Sequence, residues 1–317
     1  MKTSNSSAFT PIEHLRESPH RPGGFLRWLL SRFESSRHGV VPICRTACGF
    51  AAISRRALFV VGLSIALWSG CRPTGPDQAD ARQTVVVAAA SDLKFALDEI
   101  AREFETINPD IEVRISYGSS GNFCAQLVQR APFDIFFSAD ARYPARLIEA
   151  GLAEASSKFI YATGKIVVWT LKASQIALCP AGLEALKHPS IRRIALANPE
   201  HAPYGKAAIA ALQKLGIYDT VKERLIYGEN VAQAAQFVES GAADAGIIAL
   251  SLALAPVLKE KGRFWEIPQD SYPRLDQGGV ILPWAKHPRA SEKLRAFVLS
   301  PSGQTVLRSY GFVMPAD

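Results

Sequence analysis

The sequence predicts an α/β fold built on largely parallel sheets, and three observations carry that prediction. From Thr84 onward, short apolar runs alternate with helical patterns, as successive βαβ units require. The chain has 317 residues, 48% hydrophobic and 21% charged. That composition excludes wholesale disorder, and the length suggests about two domains. No apolar run reaches the roughly 18 residues of a membrane span, and no period of about 20–50 residues marks a solenoid.

The elements follow in order. Residues 84–90 form a buried strand, and residues 92–105 an amphipathic helix with Leu93, Leu97, Ile100 and Phe104 on one stripe. Asn108-Pro109-Asp110 turns the chain into an alternating strand at 111–117. Gly118-Ser119-Ser120-Gly121-Asn122 opens a second helix. Residues 133–138 are a third strand, and Asp140 reads as the N-cap of the next helix. Residues 166–171 and 194–197 are strands, and a helix follows Pro203-Tyr204-Gly205. Gly228-Glu229-Asn230 precedes another helix, and 245–250 is a buried strand. Residues 279–283 and a helix around 292–299 close the chain.

The net charge of +7 belongs to the N-terminal segment. Residues 1–82 hold 11 Lys/Arg and 5 Asp/Glu, which leaves 25 and 24 for residues 83–317. A nearly neutral body has no basic stripe to follow phosphates, so no nucleic-acid partner is expected. Arg55-Arg56 followed by the apolar run Ala57–Trp68 matches an export signal, and the pair loosely resembles a twin-arginine signal. Residues 55–82 are therefore read as signal and tether. Two processing readings stand open: Cys71 as the lipidated residue of a lipoprotein, or cleavage at Ala79-Asp80-Ala81. Residues 1–54 are an extension longer than a signal needs; a start downstream, at Val40 or Val41, is one explanation.

The turns before the helices carry the chemistry. Ser91, Ser120, Tyr204 and Val231 each stand at a strand-to-helix turn. In a parallel sheet such turns share the carboxyl edge, where ligands bind. Helix starts present unpaired N–H groups and partial positive charge, which suit anions. Serine and tyrosine hydroxyls add donors. Converging turns of this kind make an oxyanion socket without a buried Lys or Arg.

These motifs, Val-Val-Ala-Ala-Ala-Ser-Asp-Leu (86–93), Tyr-Gly-Ser-Ser-Gly-Asn (117–122), Ala-Pro-Phe-Asp-Ile-Phe-Phe-Ser-Ala-Asp (131–140), Asn-Pro-Glu-His-Ala-Pro-Tyr-Gly (198–205), Gly-Glu-Asn-Val (228–231) and Ser-Tyr-Gly-Phe (309–312), resemble the molybdate-binding substrate-binding proteins of ABC importers. The resemblance runs from about Thr84 to Met314. It implies a two-lobed, type II periplasmic-binding-protein-like α/β fold that closes on molybdate or tungstate and delivers it to a membrane permease. Sulfate or phosphate is the alternative ligand. The resemblance implies lobe I at 83–163 and 278–317 and lobe II at 164–277, with crossings near 162–165 and 277–279. It makes Ser91 and Ser120 hydroxyl and amide donors, Tyr204 and Val231 amide donors, and the Tyr204 phenol a further donor. Asp92, Asn230 and Lys206 stand behind them. It also implies a periplasmic or extracytoplasmic monomer, tethered to the membrane if Cys71 is lipidated, with no cofactor beyond the bound oxyanion and no direct protein–molybdenum ligand.

Asp92 departs from that family, which has a neutral residue there. The expectation is that it sits in the first helical turn and faces away from the ligand, favoured by the helix dipole. His201 is read as structural or at the pocket rim, Asp134 and Asp140 as turn and cap residues, and Trp169, Trp265 and Trp284 as packing. Cys124 and Cys179 are placed apart. An enzyme is not expected: there is no GxSxG elbow, HExxH, phosphate-binding loop or dinucleotide turn. A cytosolic regulator would need a DNA-binding helix pair where the signal stands.

Overall fold

A computed structural model describes residues 82–315. The N-terminal extension, the signal and Cys71 lie outside the described residues. In chain order the first elements are β1 (Gln83–Ala90), α1 (Lys94–Ile107), β2 (Ile111–Gly118), α2 (Ser120–Val128), β3 (Ile135–Ser138), α3 (Arg142–Glu149), β4 (Phe159–Gly164), β5 (Ile166–Leu171), β6 (Ile194–Ala197) and α4 (Pro203–Lys214). There follow α5 (Tyr218–Val221), β7 (Leu225–Gly228), α6 (Val231–Glu239), β8 (Ala245–Ala249), α7 (Leu250–Leu254), α8 (Pro256–Lys261), β9 (Gly262–Glu266), β10 (Leu275–Ile281), α9 (Pro288–Leu299) and α10 (Pro301–Ser309).

The strands build two five-stranded sheets with matching plans. The first has the order β2-β1-β3-β10-β4 and the second β7-β6-β8-β5-β9. In each, three strands run parallel and the last two join antiparallel. The sheets are therefore mixed rather than largely parallel. The departure has a simple cause: β4 and β5, and then β9 and β10, are the strands that carry the chain between the sheets. The chain leaves the first sheet after Gly164 and enters the second at Ile166. It leaves the second after Glu266, and by Leu275 it is paired with β4 again, ahead of the expected crossing at Gln277.

Burial follows the strand period of two. Val85, Val87 and Ala89 of β1 face a core with Leu97, Ile100 and Phe104 of α1. Ala88 faces the opposite core, with Phe123, Leu127, Phe136 and Leu147. β1 is thus covered on both faces, as an interior parallel strand should be. The second sheet has its own core, in which Trp169, Leu196, Ala208, Leu212 and Val238 are fully or nearly fully buried. Asp134 ties β1 to the loop after β10 by accepting from the Val86 and Lys286 amides, each at 2.7 Å. Asp140 accepts from the Arg142 amide at 2.9 Å, although Ala141 holds the cap position of α3. Cys124 is buried, Cys179 is exposed, and both thiols are free.

Candidate oxyanion-binding site

Each sheet ends in turns that start helices, and the two sets of turns face each other. β1 ends in three small residues, Ala88 to Ala90, and the chain tightens into a 3-10 turn at Ser91–Leu93 that leads into α1. Ser119 caps α2, its hydroxyl accepting from the Asn122 amide at 3.4 Å. Pro203 opens α4 from the first helical position, where its lack of an N–H costs nothing. Asn230 caps α6, accepting from the Gln233 amide at 3.0 Å. The first-turn amides of Ser120, Tyr204 and Val231 have no acceptor within their own helices and belong to the same cleft.

These turns line a small, partly open cavity bounded by Ser91, Asp92, Ser120, Tyr204, Asn230 and Val231, with small residues and Ser119 between them. No Lys or Arg lines it. The Ser91 hydroxyl accepts from the Ala232 amide at 3.3 Å, and that of Ser120 from the Ala139 amide at 3.0 Å. Each hydroxyl thereby keeps its own proton to donate.

The two halves touch through polar bonds. The Gly121 amide donates to the His201 carbonyl at 2.9 Å, and the His201 Nδ1 pairs with the Ser119 hydroxyl at 2.9 Å. Asn122 Nδ2 donates to Glu229 at 3.3 Å. His201 therefore stands at the rim. Lys206 is exposed and lies outside the lining, its ammonium 5.9 Å from the Tyr143 ring.

Asp92 is not turned to solvent. It is 1% exposed and lines the cavity. Its Oδ2 accepts from the Tyr204 phenol at 3.0 Å and from Gln277 Nε2 at 2.6 Å. Its backbone carbonyl accepts from the Ser251 hydroxyl at 2.7 Å. The Tyr204 phenol, expected as a ligand donor, is thus committed to Asp92; the Tyr204 amide remains at the start of α4. Gly164 makes this packing possible, because a Cβ there would lie 2.7 Å from Gln277 Nε2 and closer still to the Tyr204 hydroxyl.

Burial pushes the Asp92 carboxyl up to about 6; the bonds from Gln277, then Tyr204, then the first-turn amides pull it partly back. The Tyr204 phenol is held well above its ordinary value, first by burial and then by the Asp92 charge. Sequence reasoning missed Gln277 and Ser251, which reach Asp92 from β10 and α7. It also missed Ala139, which follows β3 and lines the cavity; the Ser-Ala-Asp run at 138–140 was the only local sign of it.

Two facing α/β lobes whose helix starts surround a small cavity are the arrangement of a solute-binding protein. Residues 85–313 match the family described as bacterial extracellular solute-binding protein. The chain is 35% identical to the molybdate-binding protein ModA of Rhodobacter capsulatus over 229 residues, covering 72% of this chain and 88% of that one. It is 34% identical to ModA of Azotobacter vinelandii over 250 residues, covering 79% and 96%. The solved periplasmic molybdate-binding protein of Azotobacter vinelandii superposes with a TM-score of 0.68 at 33% identity, covering 73% of this chain and all of that one. The chain belongs to the bacterial extracellular solute-binding proteins, non-enzymatic components of transport that work outside the cytoplasm.

Proposed function

We propose that this protein captures molybdate or tungstate between its lobes and delivers it to the permease of an ABC importer. The observation that carries the reading is the cavity itself. The Ser91 and Ser120 hydroxyls and the first-turn amides of Ser120, Tyr204 and Val231 converge on a space with no Lys or Arg. Such a set neutralises an anion with dipoles and shaped donors. Charge-assisted hydrogen bonds contribute about 1.5–3 kcal/mol each, so about five supply roughly 8–15 kcal/mol gross. Desolvating the anion and closing the lobes consume much of that. Relatives that share about a third of their residues with this chain are molybdate-binding proteins by name, which favours molybdate among tetrahedral anions.

In this reading Ser91 and Ser120 hold the ligand from the first lobe, Tyr204 and Val231 from the second, and a ligand touching both favours the closed arrangement. The permease then reads closure. The protein works as a monomer, tethered to the membrane if Cys71 is lipidated. Size sets selectivity over sulfate, because helix ends fixed by their sheets cannot shrink around a smaller anion. A second reading, phosphate, is favoured by Asp92, since a carboxylate in the cavity can accept a hydrogen from an anion that still carries one. Calorimetric titration with molybdate, tungstate, sulfate and phosphate tests both. Heat from the first two with little from sulfate supports the proposal; silence from both sinks it.

A further inference from the structure

We infer that Asp92 makes this site proton-coupled: the cavity takes a tetrahedral oxyanion together with one proton, carried either by the Asp92 carboxyl or by the anion itself. The inference rests on the oxyanion reading above and says which anions suit the site and at what pH.

Asp92 shares the lining of a small cavity with the serine hydroxyls and helix starts that would hold the anion. Its Oδ2 is held by Tyr204 and Gln277. Its Oδ1 is buried without a side-chain partner among the described residues, and the amides of Asp92 and Leu93 lie against the carboxyl. An ionised carboxylate only accepts hydrogen bonds, and so does a fully deprotonated oxyanion. A buried Asp92 carboxylate and an anion held at the neighbouring Ser91 have no bond to exchange, and they repel with little screening. One proton changes both facts: it removes a charge and turns one acceptor into a donor.

No cationic side chain touches Asp92; only the amides of its own turn lend it partial positive charge. From α4 it meets Tyr204, from β10 Gln277, and from α7 Ser251. From β4 the Tyr161 phenol feels its charge but donates to the Ser138 carbonyl at 3.0 Å. The cations on the adjoining turns are engaged elsewhere. Lys94 bonds Asp98 at 3.2 Å and Lys206 sits over the Tyr143 ring; the His201 ring is held by the Ser119 hydroxyl. Burial has already moved the Asp92 carboxyl up to about 6. An anion arriving beside it moves it further in the same direction, so the proton is taken up near neutral pH.

Two classes of ligand then behave differently. Molybdate or tungstate brings no hydrogen and requires neutral Asp92. Hydrogen phosphate brings its own hydrogen and can donate it to the ionised carboxylate. Asp92→Asn removes the charge and adds a donor while keeping an oxygen for the Tyr204 and Gln277 bonds.

The test is calorimetry on the purified protein with molybdate and with phosphate, at about pH 6.5, 7.5 and 8.5 in buffers of different ionisation heat, for wild type and Asp92→Asn. For molybdate, wild type should take up close to one proton per anion near the upper pH. Its Kd should weaken roughly tenfold per pH unit there, while the variant stays flat and binds more tightly. For phosphate near the upper pH, net proton uptake should be near zero, and Asp92→Asn should weaken binding. Phosphate binding of that kind with no heat from molybdate would retain the proton coupling and discard the molybdate reading. A wild-type molybdate Kd that is constant across the range, with no proton uptake, overturns the inference while leaving the molybdate reading intact. Binding of neither anion overturns both. The wild-type series decides the matter even if the variant fails to fold.

Discussion

The phenol of Tyr204 donates to the carboxylate of Asp92 at 3.0 Å, joining the start of α4 in one lobe to the start of α1 in the other. Gln277 Nε2 completes the triangle, 3.0 Å from the phenol and 2.6 Å from Asp92. Because β10 is one of the strands that carry the chain between the sheets, this buried triangle links the floor of the cavity to the path between the lobes. Tyr204→Phe removes one of the two donors from a buried carboxylate oxygen. Losing a bond of this kind costs about 1–3 kcal/mol. Urea unfolding near neutral pH should show a loss of that size, and an unchanged midpoint would mean that the bond is absent in solution.

Asp92 also sets how stability varies with pH. Its folded value is raised from an ordinary 3.8 to about 6. Between those values the native state therefore holds a proton that the unfolded chain releases. The contribution is fully present below the ordinary value and is lost as pH rises through about 6. At roughly 1.4 kcal/mol per pH unit of displacement, the full swing is about 3 kcal/mol. Asp92→Asn should flatten this part of the profile and be more stable than wild type at about pH 8, with the advantage shrinking toward about pH 4. Chemical unfolding across that range checks the sign; an advantage that grows on acidification would contradict it.

Ser120 tests the donor set. Its hydroxyl accepts from the buried Ala139 amide, so Ser120→Ala loses a ligand donor and strands an N–H. The stranded amide costs about 1–3 kcal/mol of stability. The lost charge-assisted bond should weaken anion binding by about tenfold to a hundredfold. Calorimetry and thermal unfolding on the same sample separate the two effects. An unchanged Kd would remove Ser120 from the site.

What was legible in the sequence was local. Ser91, Ser120, Tyr204 and Val231 each stand beside a helix start, and the strand–helix alternation says that such turns share the carboxyl edges of the sheets. The structure brings all four to one cavity. What was not legible depends on distance along the chain. Gln277 is 185 residues from Asp92 and Ser251 is 159, and no periodicity links them. The orientation of Asp92 was misjudged for the same reason: whether a first-turn carboxylate meets solvent depends on what the other lobe lays over it. Short elements were lost differently. β7 is as short as β6 but only partly buried, so it lacks the continuous apolar run that marks β6, and α10 begins Pro-Ser-Gly, which reads as a loop until Ser300 is seen capping it at 3.3 Å through the Gly303 amide.

Closure itself can be probed at Gly121. Its amide meets the His201 carbonyl at 2.9 Å, and a Cβ at that position would lie 2.6 Å from the same oxygen. That is closer than van der Waals contact allows, and the obstacle is backbone, which cannot rotate away. Gly121 lies in the first turn of α2, whose backbone accepts alanine readily, so each lobe should fold as before. Gly121→Ala should therefore hold the lobes apart, lower the unfolding midpoint without anion by no more than the cross-lobe bonds it breaks, and weaken anion binding at least about tenfold, because contacts from one lobe alone cannot favour the closed state. Small-angle scattering with and without saturating molybdate gives the second readout: wild type should contract on binding and the variant should contract less. Equal contraction together with an equal Kd would show that the Gly121–His201 contact does not limit closure.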